Sequence, residues 1–180
     1  GLCKIKNLSK SGDILSTING LRKLGVKIFF KNRICYLYGS GLSGFNYRKN
    51  ILINAGNSGT FARLLLGLII KTPNKIKLVG DNSLSKRDFK RIADPLKEFG
   101  AKFELRNKNN LPLKIIGSEY LKPINYFEKR GSAQCKSSVI LAALNTPGKT
   151  TIYAKKSRNH TELFLKYLKL PIKVIEKKKT

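Results

Sequence analysis

The hydrophobic and polar positions of this chain fall into a loose repeat. Between residues 14 and 38 a helix candidate closes on Leu21-Arg22-Lys23-Leu24-Gly25, and two short apolar strand candidates follow at 26–30 and 34–38. Between 89 and 116 the same order returns. A helix candidate closes on Leu96-Lys97-Glu98-Phe99-Gly100, and strand candidates follow at 101–105 and 113–116. A third version starts at Thr161 and predicts a strand at 172–175. The first two helix candidates each end just before a glycine, Gly25 and Gly100, the residue that most easily takes the left-handed backbone closing a last turn.

A strand candidate and a loop rich in Ser and Lys precede each version, at 4–11, 78–87 and 152–158. The two later versions carry a further helix candidate upstream, at 60–70 and 133–144. The full unit therefore predicts β-α-β-α-β-β, with copies over about 1–40, 50–117 and 122–180. A unit of this kind cannot bury its own apolar faces, so copies must pack on one another. Equivalent loops then gather at one end, and the basic loops share one rim.

The stretch Asn54-Ala55-Gly56-Asn57-Ser58-Gly59-Thr60-Phe61-Ala62-Arg63 lies between an apolar strand candidate, 51–53, and an unbroken apolar run, 64–70. Small residues with free N–H groups thus stand where a strand turns into a helix. Backbone donors and the positive end of the helix dipole meet there and suit an anion. Arg63 adds a fixed positive charge in the first turn. A tight turn holding nothing has the same local pattern, so this loop does not decide the matter by itself.

Composition narrows the picture. The chain has 180 residues, 41% hydrophobic, enough for a real core, and a formal net charge of +27. Such a charge suits polyanions or substrates with several negative groups. Lysine is spread along the whole chain and not gathered with arginine and aromatics into a stripe, so a basic nucleic-acid-binding module is the weaker reading. Cys3, Cys35 and Cys135 are isolated, and His160 is the one histidine. No zinc spacing and no disulfide framework results, and a reducing cytoplasm is the expected setting. The apolar run at 64–70 is too short to span a bilayer. With no methionine, a start at Gly1 and a finish in Lys177-Lys178-Lys179-Thr180, the sequence reads as an internal piece of a longer chain.

Gly39-Ser40-Gly41-Leu42-Ser43-Gly44 spells Gly-x-Gly-x-x-Gly. No helix opens after it and no acidic residue follows at the ribose-binding distance, so it reads as a connection and not a dinucleotide fingerprint. No Gly-Lys-Ser/Thr closes any glycine-rich turn, which excludes a P-loop.

Four segments carry a stronger signal together: Asn57-Ser58-Gly59-Thr60-x-x-Arg63; Gly80-Asp81-x-Ser83-Leu84-Ser85-Lys86-Arg87; Ser132-Ala133-Gln134-x-Lys136-Ser137; and Ser157-Arg158-x-His160-Thr161-Glu162. Their order and spacing resemble the 3-phosphoshikimate 1-carboxyvinyltransferase (EPSP synthase) family over essentially the whole chain. The resemblance implies an inside-out α/β barrel, with parallel helices buried centrally and sheets outside. It implies a partial chain covering most of one of two domains, the second domain being absent. The implied reaction joins phosphoenolpyruvate to the 5-hydroxyl of shikimate 3-phosphate by addition and then elimination of phosphate, with no metal or cofactor. Both substrates carry a phosphate and a carboxylate, which need Arg, Lys and backbone N–H groups around them. No nucleic-acid or membrane partner is implied, and the full-length protein is expected to be a monomer.

By the same resemblance, Gly59, Arg87 and Gln134 contact phosphoenolpyruvate, Gly59 by close backbone approach and Arg87 through its planar fork. Ser132, Ala133, Gln134 and Ser157 hold shikimate 3-phosphate; Gln134 can both donate and accept. Asn57, Arg158 and His160 are lesser candidates. Taken alone, Ser132 is an ordinary N-cap and His160 a polar residue at a helix start. With 10 Asp plus Glu and no paired carboxylates in the matched segments, no catalytic acid or base is assigned, and the piece alone is expected to be inactive. Three departures stand out. Asp88 replaces the usual Pro after the arginine, so that helix start is expected to sit differently. Asn159 replaces a common Asp. Phe61 replaces a small residue and is expected to bear on substrate affinity. UDP-N-acetylglucosamine enolpyruvyl transferase shares the implied fold, but it typically carries a reactive loop cysteine, and none of the three here has that context.

Overall fold

The computed structural model describes residues 1–42, 44–47 and 50–175. Ser43, within the discarded glycine motif, and the terminal lysines lie outside the described residues. Three sheets form, one for each version of the repeat. In the first, β1 (Leu2–Lys6), β2 (Lys27–Lys31) and β3 (Ile34–Tyr38) pair antiparallel in the order β1-β3-β2, and α1 (Gly12–Lys23) connects β1 to β2.

The second sheet begins with β4 (Ile51–Asn54) and β5 (Ile76–Val79), which run parallel and are therefore joined by a crossover, here a helix. That helix is α2 (Gly59–Leu68). Beyond β5 come a short helix, α3 (Asn82–Ser85), then α4 (Lys90–Glu98) and an antiparallel pair, β6 (Lys102–Arg106) and β7 (Asn110–Ile116), giving the order β4-β5-β7-β6. The third sheet has two parallel strands, β8 (Asn125–Glu128) and β9 (Thr151–Ala154), joined through α5 (Ala133–Leu144), with α6 (His160–Tyr167) following.

The expected strand at 172–175 does not form. A strand needs a neighbour to bond its exposed N–H and C=O groups, and no described segment pairs there. The strand expected at 113–116 is longer, running from Asn110 through Pro112 to Ile116. Proline fits because the β6–β7 register shifts at Leu105/Arg106, leaving Pro112 outside the paired positions.

The main core lies between α2, α5, α4 and the second sheet. Leu65, Leu66, Ile69 and Ile70 from α2 and its end, Val139 and Ala142 from α5, and Ile92, Leu96 and Phe99 from α4 and its end are all fully buried. Each contributes about 1.5–3 kcal/mol by leaving water, except the smaller alanine. An α2 that is apolar on nearly every side is what a central helix requires. A second, smaller cluster of Ile18, Ile28 and Cys35 seals α1 on the first sheet.

Helices α2 and α5 touch through their backbones. A Cβ on Gly67 would stand 2.1 Å from the Ser138 carbonyl oxygen, so only glycine fits. Along this seam Gln134 meets Thr60, Ser138 Oγ donates to the Arg63 carbonyl at 2.8 Å, and Asn145 Nδ2 donates to the Leu68 carbonyl at 3.5 Å. Contacts that advance together along both helices mean that the helices run parallel and begin at the same end. The result is a mixed α/β structure with central parallel helices and outer sheets, as expected; no closed barrel forms among the described residues.

Candidate functional site

The loops leaving β4 and β5 and the start of α2 collect on one rim, because the two strands run parallel. The loops leaving β8 and β9 and the start of α5 collect likewise. The α2–α5 seam then sets these two groups of loops side by side.

On the α2 side, Ser58 caps the helix, its Oγ accepting from the Phe61 N–H at 3.2 Å. Gly59 follows, buried, as the first helical residue. A Cβ there would lie 3.0 Å from Arg87 Nη1 and 3.1 Å from Arg63 Nη1, so two guanidinium groups converge over this glycine. Asp81 organises the loop after β5. One oxygen accepts from the Leu84 N–H at 2.7 Å and the other from Asn57 Nδ2 at 2.6 Å. Its carboxyl is held below the ordinary aspartate value, first by the Leu84 N–H and then by Asn57. Asn57 in turn accepts from Arg87 Nη2 at 3.5 Å. Arg87 is thereby steadied over Gly59.

The two sides join through Gln134. Its Oε1 accepts from Arg63 Nη1 at 2.5 Å and its Nε2 donates to Thr60 Oγ1 at 2.8 Å. Arg63 is only 5% exposed, and its Nε has no partner. Burial, then the neighbouring Arg91, push its guanidinium below the ordinary value, and Arg87 adds to this. Its Cζ lies 5.5 Å from the centre of the Phe89 ring, whose face favours a cation. A largely buried guanidinium with other arginines around it makes a strongly positive environment.

On the α5 side, Ser132 is the N-cap and accepts from the Cys135 N–H at 3.3 Å; Ala133 opens the helix. Glu128, at the end of β8 and buried, accepts from the Ser132 N–H at 2.8 Å and the Arg130 N–H at 3.2 Å, fixing the turn before the helix. The loop after β9 passes beside this turn, for Lys156 O lies 3.6 Å from a Cβ position on Gly131. Ser157 stands on that loop with a buried and unpartnered Oγ.

The rim thus brings Asn57, Gly59, Arg87 and Gln134 together, sets Ser132 and Ala133 beside them, and carries Ser157 on the adjoining loop. Arg158 and His160 lie exposed further along, with no hydrogen-bond partner among the described side chains. Two residues join the candidates. Arg63, which the sequence credits only with a first-turn charge, contacts Gln134; its position one helical turn after Gly59 was the available signal. Arg91 is made a neighbour of Arg63 by tertiary packing, and nothing local in the sequence announces it.

The departures also find their places. Asp88 Oδ1 accepts from the Lys90 N–H at 2.9 Å and holds the start of α4, while Oδ2 faces Arg130 Nη1 at 3.7 Å, linking the two loops. The Phe61 ring packs on Gly20 of α1, in the core and turned to the first sheet's helix. No group of three or more His, Cys, Asp or Glu that could hold a metal occurs among the described residues. No helix there is long and apolar enough to cross a membrane.

A family model described as EPSP synthase (3-phosphoshikimate 1-carboxyvinyltransferase) matches residues 1–180. A 3-phosphoshikimate 1-carboxyvinyltransferase of Oenococcus oeni is 44% identical over 92% of this chain, and one of a Sulfurihydrogenibium species is 43% identical over 92%. The chain spans 38% of the length of these curated relatives. Among solved structures, EPSP synthase from Acinetobacter baumannii superimposes with a TM-score of 0.89 at 34% identity, over 97% of this chain and 40% of that one.

Proposed function

The chain belongs to the EPSP synthase family, and from that premise we propose that it supplies one half of an enolpyruvyl-transfer site. The reaction moves the enolpyruvyl group of phosphoenolpyruvate to the 5-hydroxyl of shikimate 3-phosphate, giving 5-enolpyruvylshikimate 3-phosphate and phosphate. In this reading Gly59 and Arg87 take phosphoenolpyruvate, and Gln134 reaches both substrates. Ser132, Ala133 and Ser157 take shikimate 3-phosphate. Arg63 holds Gln134 in place and adds charge beneath it.

The observation that carries the reading is the meeting of Arg63, Arg87, Gly59 and Gln134 at the starts of two parallel helices. Two substrates with four acidic groups between them repel each other, and only concentrated donors and positive charge offset that repulsion. The three free cysteines suit a reducing, cytoplasmic setting.

In this reading the chain does not complete the chemistry by itself. Enolpyruvyl transfer must protonate a methylene carbon and remove a hydroxyl proton. Asp81, Asp88, Glu128 and Glu162, the carboxylates of the rim loops and the helix start beside them, are all bonded to protein donors. The test is calorimetric titration of shikimate 3-phosphate into the 180-residue chain, with phosphate release followed separately. Saturable binding that Gln134→Ala weakens, without turnover, is expected. Absence of binding, together with salt-sensitive binding of nucleic acid, overturns the reading in favour of a basic binding module.

A further inference from the structure

We propose that Lys136 and Glu162 are a positioning pair that sets the Ser157 loop against the start of α5; the inference rests on reading this rim as the shikimate 3-phosphate site. Lys136 Nζ lies 2.5 Å from Glu162 Oε1, and both side chains are about nine-tenths buried. The next residues along, Ser137 and Thr161, join their hydroxyls at 2.7 Å. Two consecutive contacts thus bolt the first turn of α6 to the first turns of α5. Ser157 lies five residues before Glu162, and Gln134 two residues before Lys136, so the bolt sits directly behind both.

Stability alone does not account for the pair. Removing two charges from water offsets most of their attraction, and an apolar pair of similar size often serves a fold as well or better. The pair is not even fully satisfied, since Glu162 Oε2 is buried with no partner. What it does provide is a fixed distance. Among the described residues nothing covers the outer face of α6, where Leu163, Phe164 and Tyr167 are all more than half exposed. Its inward hold therefore depends on Leu165 and on this junction. Ser157 Oγ has no hydrogen bond of its own to hold it, so the loop places it. The pairing also keeps the Lys136 ammonium from a bound anion, which leaves Ser132 and Ser157 as neutral donors.

The test uses the 180-residue chain, with shikimate 3-phosphate as probe. Dissociation constants come from calorimetry and the bound phosphate environment from its 31P resonance, both well below the melting midpoint. Glu162→Gln keeps the shape and removes the charge. The double variant Lys136→Met, Glu162→Leu replaces the pair with apolar groups and stays informative if the single variant fails to fold. We expect the double variant to melt near wild type yet bind about tenfold more weakly, the loss that one weakened hydrogen bond to a charged group produces, with an altered 31P shift. Wild-type affinity and an unchanged 31P shift in the double variant overturn the positioning role while leaving the substrate site standing. Failure of the unaltered chain to bind overturns both.

Discussion

Replacing Gly67 with alanine tests the helix seam on which the rim depends. The added Cβ would lie 2.1 Å from the Ser138 carbonyl oxygen, 2.9 Å from its carbon and 3.1 Å from its Cα. These are main-chain atoms, which cannot rotate aside as a side-chain end can. To restore ordinary contact, α5 must retreat from α2 by about 1.3 Å. Overpacking of this kind costs about 3 kcal/mol or more where backbone is the obstacle. The better helix propensity of alanine returns about 1 kcal/mol. The net loss is then about 2 kcal/mol or more, a fall in melting midpoint of about 4–8 °C for a domain of this size. The retreat also carries Gln134 away from Thr60 and Arg63, which it now meets at 2.8 and 2.5 Å, so shikimate 3-phosphate affinity falls with stability. Thermal unfolding followed by circular dichroism, with calorimetric titration beside it, measures both. Adding Ser138→Ala does not rescue, because the obstructing oxygen belongs to the main chain. A Gly67→Ala chain that melts within about 1 °C of wild type would refute the direct contact of the two helices.

Two further substitutions separate charge from packing. Arg63→Met removes a guanidinium that burial and Arg91 disfavour, so we expect a melting midpoint unchanged or raised, while shikimate 3-phosphate affinity drops about tenfold through loss of a charge-assisted donor; a clear fall in midpoint with affinity intact contradicts this. Asp81 gives a pH signature. Its folded-state value is lowered, so the stability it contributes is complete above the ordinary aspartate value and is lost as pH falls through the lowered one. Asp81→Asn should flatten that part of the acid limb in melts taken from about pH 5 to about pH 2, and an unchanged limb rules out the Leu84 and Asn57 bonds as its source.

Local signals were legible where the chain closes its own hydrogen bonds. Ser132 ahead of an apolar run marked α5 at Ala133–Leu144, its observed bounds, because a cap and a buried face are both short-range. The recurring helix-then-hairpin order likewise anticipated the sheet arrangement of the first two sheets. What stayed hidden was set by tertiary approach. Arg63 and Gln134 are 71 residues apart, and Arg91 reaches Arg63 only because α4 packs on α2. Gly67 lies inside the apolar run at 64–70, and only its facing backbone reveals why no side chain fits. The strand placed at 113–116 starts earlier, at Asn110, because the shifted register leaves Pro112 outside the paired positions. The strand at 172–175 failed for the opposite reason: its composition was suitable, and the missing ingredient was a neighbour.

The common direction of α2 and α5 bears on how such a rim withstands genetic drift. Each helix start presents about half an elementary positive charge from its peptide groups, and no codon change at a side chain removes it. Arginines and lysines at the edge are then increments on a floor supplied by the main chain. A lineage can exchange several of them and still keep a positive floor at the same place, so long as the residues that keep the two helices in step are retained.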